Sequence, residues 1–230
     1  MNELVLVQGW SDTRATLERW RHAPGRLLAP WLVRSLQIAC ALLFAVYVVA
    51  RLSAPDASRL VIPGYTTKAG VGDYLHILYR NSLVLALHAM ACVAGFIAGS
   101  SLPISASHRS GVSRWVHEKA GPLAIGFVIC ATAFSLCTQA YAIGGAASTV
   151  AAQLGVGPAT LILTLLPHAL PELIALFLPL AAWIAASRRG DWDELLAATF
   201  VTAAVAVPML LASAAIELGL WPLLLRAAAG

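Results

Sequence analysis

The side chains best suited to chemistry in this chain lie in the stretch LPHALPELIA, residues 166–175. His168 and Glu172 are four residues apart, so a helix would carry an imidazole and a carboxyl group on one face. Between Ala120 and Ser187, Glu172 is the only formally charged side chain. Such a pair could form part of a proton pathway, bind a cation, or join neighbouring helices by hydrogen bonds. The residue types alone leave all three uses open.

The composition places these side chains in a membrane protein. The chain has 230 residues, of which 60% are hydrophobic and 11% charged, and its mean hydropathy is +0.79. Soluble domains carry about 25% charged residues. The pI near 9.1 is explained by the cytoplasmic loops of membrane proteins, which collect Lys and Arg, so no nucleic-acid partner is predicted. The four cysteines lie in apolar runs without CxxC spacing, and we predict no redox role and no cofactor.

Five stretches are long and apolar enough to cross a bilayer, which takes about 20 residues. The predicted fold is therefore an all-α polytopic membrane helical bundle of five transmembrane helices, with short interfacial or re-entrant helices beside them. Residues 1–30 are predicted to form a cytoplasmic amphipathic segment, followed by a single membrane domain at 31–226. Residues 158–166, PATLILTLL, are too few to cross and are interpreted as one of the short helices. The predicted spans are 31–50, 82–101, 120–141, 167–186 and 195–219.

The distribution of positive charge predicts the orientation. With a cytoplasmic N-terminus, nine Lys and Arg residues lie in the inner segments and five in the outer ones. Positive residues are more frequent on the cytoplasmic side of membrane proteins. We therefore expect a multi-pass protein of the bacterial inner (plasma) membrane, with its N-terminus inside the cell.

The same topology predicts that polar groups from four segments lie at one depth. Prolines are favoured in the first turn of a helix, so Pro167 and Pro171 are interpreted as a helix-entry motif. Glu172 would then lie roughly 8 Å below that entry, at 1.5 Å per residue. We expect its carboxyl group to accept hydrogen bonds or to pair with the imidazole four residues earlier. The predicted polar intramembrane cluster consists of Asn81, Gln139, His168, Glu172 and Glu217.

The motifs of common enzyme classes are missing from the sequence. There is no HExxH, no GxSxG and no traceable Ser-His-Asp arrangement, so no catalytic residues are predicted. Two acids with one or two histidines lack a fourth ligand of the kind that metal sites need, and no metal site is predicted. A polar clamp between helices is favoured, with a substrate or proton pathway as the next hypothesis.

Several of these residues resemble the pattern of the stage II sporulation protein M family, the DUF95-type membrane proteins. In that family an Asn opens a span after a short amphipathic helix, as Asn81 does here. A Pro-His-x-x-x-Glu core follows, matched by Pro167, His168 and Glu172. A late Ile-Glu pair is matched by Glu217 and the residue before it. The resemblance covers roughly residues 73–222, and substitutions such as Gln139 in place of the family's Asn indicate a divergent member.

The resemblance implies a non-enzymatic membrane scaffold or anchoring component of a multiprotein complex. Its expected partners are membrane lipid and other membrane or cell-envelope proteins, such as peptidoglycan hydrolases or a transporter ATPase, and a homodimer is included in the same hypothesis. The alternative is a transport or permease component that binds a cation or proton at the His/Glu layer. A sealed polar layer would favour the scaffold, and a layer that lines an open cavity would favour binding or transport.

Overall fold

The computed structural model describes residues 5–57, 60–101 and 110–230, with side chains described throughout except at 5–9, 101, 112–120 and 124. Residues 1–4 of the predicted N-terminal segment therefore lie outside the described residues. The described chain is almost entirely helical, and it contains no β-strand apart from an isolated bridge between Pro63 and Thr67.

The helices of the described residues are α1 to α7, and two short segments of other helical types accompany them. A π-helix, Ile97–Ser101, continues α3, and a 3₁₀ turn, Trp192–Glu194, precedes α6. The helices are α1 (Val5–Arg21), α2 (Pro24–Leu52), α3 (Val71–Phe96), α4 (Gly111–Leu154), α5 (Pro158–Arg189), α6 (Leu195–Gly219) and α7 (Trp221–Ala229).

Five helical stretches are long and apolar enough to cross a membrane: Pro24–Leu52, Val71–Ser100, Gly121–Leu154, Pro158–Arg189 and Trp192–Ala229. The all-α multi-pass fold predicted from the sequence is thus confirmed. Three predicted spans lie within these stretches, and the other two, 82–101 and 120–141, each extend one residue beyond. The helices extend past the apolar runs at their ends because backbone hydrogen bonding does not stop where hydropathy falls.

The boundary between α4 and α5 differs from the prediction. Gly155, at φ +67°, ends α4, because glycine adopts this left-handed conformation without a Cβ clash. The next helix begins at Pro158, a residue suited to a first helical position, and the Leu161 amide donates to the Gly157 carbonyl (3.0 Å). The predicted separate helix at 158–166 is therefore wrong, because these residues are the first turns of α5.

The interpretation of Pro167 and Pro171 as a helix entry is also wrong, because both lie inside α5. Glu172 is consequently roughly 21 Å along the helix from Pro158, at 1.5 Å per residue. Helix-breaking residues are tolerated in membrane helices when side chains of neighbouring helices satisfy the freed backbone groups. Pro171 leaves the Pro167 carbonyl without its i+4 donor, and the Ser213 hydroxyl of α6 donates to the next carbonyl along the helix, that of His168.

Residues 142–154, which follow the third predicted span, continue α4. Gly144 faces Val49 of α2 so closely that an added Cβ would lie 2.5 Å from the Val49 Cβ. The missing side chain lets the two backbones approach, which is the usual role of small residues between membrane helices. Glycine at this position is thus explained by packing.

The described chain divides into two compact units, of which the first comprises residues 1–35, 85–132 and 177–205. Its core is built on Trp31, Leu178 and a series of alanines from α5 and α6. Trp20 of α1 packs edge-on against Trp31, with 5.6 Å between the ring centroids. A hydrogen bond from the Arg19 guanidinium to the Glu194 carboxylate (3.4 Å) also joins α1 to the 3₁₀ turn.

The second unit comprises residues 36–84, 133–176 and 206–230. Its core includes Ile62, Leu161 and Leu225, which belong to the 53–70 loop, α5 and α7. The loop is fixed by polar contacts, since the Gln153 amide bonds both backbone groups of Leu60 (2.9 and 3.1 Å). The Arg226 guanidinium donates to the Gly64 carbonyl (2.6 Å). All residues of the predicted polar cluster belong to this unit.

Candidate functional site

A cavity of about 590 Å³ lies within the second unit, between α3, α4, α5, α6 and the 53–70 loop. It is a cleft that opens to the surroundings, not an enclosed void. Four of the five residues in the predicted polar cluster line it, each from a different helix: Asn81, Gln139, Glu172 and Glu217. The polar side chains of the lining are Asp73, His76, Arg80, Asn81, Thr138, Gln139, Glu172 and Glu217. We call this space the polar cavity.

Glu172 lines the polar cavity from α5, together with the apolar side chains of Leu173 and Leu176 on the same helix. The Asn81 side chain of α3 is close enough to the Glu172 carboxyl group to interact with it. Even so, the buried Asn81 Nδ2 and Glu172 Oε2 atoms have no hydrogen-bond partner among the described residues. A buried polar atom without a partner is unfavourable by about 1–3 kcal/mol. Glu172 Oε2 is therefore available to a cation or a proton, whereas Asn81 Nδ2 is a donor and is available only to an acceptor.

A second carboxyl group, that of Glu217, approaches the cavity from α6. It is near enough to Glu172 for the two negative charges to repel each other, and near enough to Arg80 of α3 to be attracted by the guanidinium. Arg80 is exposed, whereas both glutamates are half-buried. The cavity therefore has a positive charge beside one carboxylate and none beside the other among its described lining residues.

Gln139 contributes an amide group from α4. Its Nε2 donates to the Ser135 hydroxyl one turn earlier (3.0 Å), which fixes the orientation of the side chain. An amide has both donor and acceptor capacity, and the carbonyl oxygen of Gln139 is not used in that bond. With Thr138 beside it, α4 contributes a hydroxyl and an amide to the lining of the cavity.

His168 is the member of the predicted cluster that does not line the polar cavity. Its ring is buried and packs against Trp221 of α7, with 5.4 Å between the centroids. No hydrogen bond or ion pair joins His168 and Glu172 in the described part of the chain, and His168 Nδ1 has no partner there. The predicted pairing of the two is therefore wrong. Sharing a helix face brings residues near each other, but the imidazole turns to Trp221, whose ring plane is tilted by 54° to it.

Three ionisable cavity residues were not predicted: Asp73, His76 and Arg80. They lie at the start of α3, within a stretch that the sequence indicated to be amphipathic. Their spacing of three and seven residues places them on one helix face. This i, i+3, i+7 pattern of polar residues was the signal that could have identified them.

The described lining residues limit the chemistry of the cavity. In residues 5–57, 60–101 and 110–230, no group of three or more His, Cys, Asp or Glu side chains is arranged to hold a metal ion. The polar groups of the lining are three carboxyl groups, two amides, a hydroxyl, an imidazole and a guanidinium, around a space accessible from outside. Carboxyl and amide oxygens are the groups that bind cations and protons in proteins.

Comparisons of the chain with family models, with curated proteins and with solved structures give no match. The resemblance to the stage II sporulation protein M family consequently stays a prediction based on its short motifs.

Proposed function

We propose that this chain is a non-enzymatic integral membrane protein that binds a cation or a proton in its polar cavity, as a component of a membrane transport system. The observation that carries the proposal is the convergence of Glu172 and Glu217, from two helices, on one open cavity. Ionisable residues in membrane helices are rare, and they commonly mark ion or proton pathways.

The energetics of the cavity support binding over a purely structural role. Two like charges close together in a partly buried site repel each other, and burial of a charge without a partner is unfavourable. A structural clamp would use complementary donors and acceptors. Here Asn81 Nδ2 and Glu172 Oε2 lack partners among the described residues. A bound cation would offset the repulsion between the carboxylates.

The scaffold function stays a second hypothesis, and it has support of a different kind. In α4, an apolar stretch of 18 residues within Gly121–Leu154 is only 6% buried, and large side chains such as Phe127 and Phe134 are exposed. An apolar helix with so few internal contacts is covered by lipid or by another membrane protein. The partners expected from the family resemblance belong to this hypothesis.

The localisation that we propose is the inner (plasma) membrane of a bacterial cell, with a cytoplasmic N-terminus. Its support is the excess of Lys and Arg, nine against five, in the segments on the N-terminal side of the membrane.

Flux measurements in proteoliposomes test the transport function. The purified protein is reconstituted, and H⁺, Na⁺ and K⁺ gradients are imposed in turn. Ion-sensitive dyes inside the vesicles measure the concentration of the cation in the lumen. We expect flux of one of these cations, reduced at least roughly tenfold in Glu172→Gln, because a tenfold effect needs only about 1.4 kcal/mol of lost binding. Glu18→Gln, an exposed carboxylate outside the cavity, is the matched control and should keep wild-type flux. Absence of flux for all three cations would contradict the transport function.

A further inference from the structure

A second concavity, within the first unit, has no part in the proposed function. It has a volume of about 340 Å³ and lies between α1, the start of α2 and α6. Its inner surface is apolar and formed by Leu17, Trp20, Leu27, Leu28 and Val201. We call it the α1 groove.

The rim of the α1 groove is positively charged. Arg14 and Arg21 line it and are seven residues apart on α1, so they lie on one face two turns apart. Glu18 lies between them and is 3.4 Å from the Arg21 guanidinium. A guanidinium has five N–H donors, and the Arg21 side chain is 71% exposed. The rim thus retains a net positive charge and free donor capacity.

The remaining arginine of this part of α1 has a different role. Arg19 donates to the Thr16 hydroxyl (2.8 Å) and to the Glu194 carboxylate (3.4 Å), which holds α1 against the 3₁₀ turn. Thr16 itself is buried. This attachment fixes the groove between α1 and its neighbours, while Arg14 and Arg21 stay on the rim.

We infer that the α1 groove binds one anionic phospholipid, with an acyl chain on the apolar surface and the phosphate between Arg14 and Arg21. The apolar inner surface of the groove is complementary to an acyl chain, and its positively charged rim is complementary to the phosphate. Arginine binds phosphate through its planar fork, and basic side chains next to membrane helices attract anionic lipids. Trp20 at the groove is a residue type enriched at the level of lipid headgroups. A free phosphate ion would not use the apolar surface, and a zwitterionic lipid would not use the net charge of the rim.

Native mass spectrometry of the full chain in detergent tests this inference by titration with dioleoyl phosphatidylglycerol and, separately, with dioleoyl phosphatidylcholine. We expect one phosphatidylglycerol molecule to bind roughly tenfold or more tightly than phosphatidylcholine, as expected for two arginines acting on one phosphate. Arg14→Gln and Arg21→Gln should each weaken the binding of phosphatidylglycerol roughly fivefold. The double variant should bind both lipids equally.

Arg26→Gln is the matched control, since it removes the same charge from an exposed side chain that does not line the groove. It should leave the binding of phosphatidylglycerol within about twofold of wild type, because the contact is local and not a general surface attraction. Equal loss in the Arg26 and Arg14 variants, or equal affinity of the wild type for the two lipids, would overturn the inference. Displacement of the lipid by soluble glycerol 3-phosphate would also overturn it, because the apolar surface would then have no role.

Discussion

Neutralising Glu172 should stabilise the protein if the polar cavity is built to bind a ligand. Glu172→Gln keeps the shape of the side chain and removes its charge. The variant loses the repulsion by Glu217 and places an amide group at the position of the unpartnered Oε2 atom. If structural hydrogen bonds held the carboxylate in place, the same substitution would lower the stability of the protein.

The magnitude follows from the local environment of Glu172. Glu172→Gln removes a like-charge interaction with Glu217; two unit charges about 4 Å apart interact by about 1 kcal/mol in water and about 4 kcal/mol near a protein surface, and the half-buried position of Glu172 favours the lower part of that range. A gain of about 1–2 kcal/mol in unfolding free energy corresponds to a rise of about 2–8 °C in melting temperature for a chain of this size. The effect should be larger at roughly pH 8 than at roughly pH 4, because carboxyl groups that are protonated at low pH no longer repel each other.

Thermal unfolding in detergent, followed by tryptophan fluorescence at both pH values, measures this effect. Glu18→Gln is the control, since that carboxylate is 61% exposed and its ion pair with Arg21 is a surface pair, worth at most about 1 kcal/mol. A lower melting temperature for Glu172→Gln than for Glu18→Gln would refute the reasoning. That result would indicate that Glu172 joins neighbouring helices by structural hydrogen bonds.

Two further predictions concern packing and orientation. Gly144→Ala should lower stability by about 1–3 kcal/mol, because its Cβ would overlap Val49. The adjacent Gly145→Ala, with nothing within 4 Å of the added Cβ, should raise stability by about 0.5–1 kcal/mol, and thermal unfolding changes of the same sign in both variants would contradict this packing. In a cysteine-free background, Ala57→Cys should react with an impermeant maleimide added outside intact cells, and Ser110→Cys should react only after the cells are opened. The reverse pattern would invert the proposed orientation.

Composition was sufficient to predict the membrane fold, because burial of an apolar helix in lipid is decided by hydropathy and length. Four members of the polar cavity could also be predicted from sequence. Amides and carboxyl groups are conspicuous within apolar spans, and the unfavourable energy of exposing Glu172 or Glu217 to lipid requires them to turn inward. The hydropathy of each segment and the positions of its polar residues were enough to predict the membrane fold and these four cavity residues.

The features that could not be predicted depend on contacts between distant segments. Proline is a residue type favoured at helix starts, so Pro167 was predicted to begin the helix. The helix begins nine residues earlier, at Pro158, because Gly155 ends the preceding helix. His168 was expected beside Glu172, but Trp221, far along the chain, holds its ring elsewhere. Spacing shows which face a side chain occupies, while its rotamer and partner are decided by tertiary packing.

Difference infrared spectroscopy of the carboxyl groups tests the binding of a cation or proton in the polar cavity most directly. Purified protein in a lipid film is exchanged between buffers that differ in one cation or in pH, and the carboxyl and carboxylate bands are recorded. We predict bands in the wild-type difference spectrum that decrease in Glu172→Gln and in Glu217→Gln and persist in Glu18→Gln. Difference spectra that are identical in the wild type and both cavity variants would contradict the account.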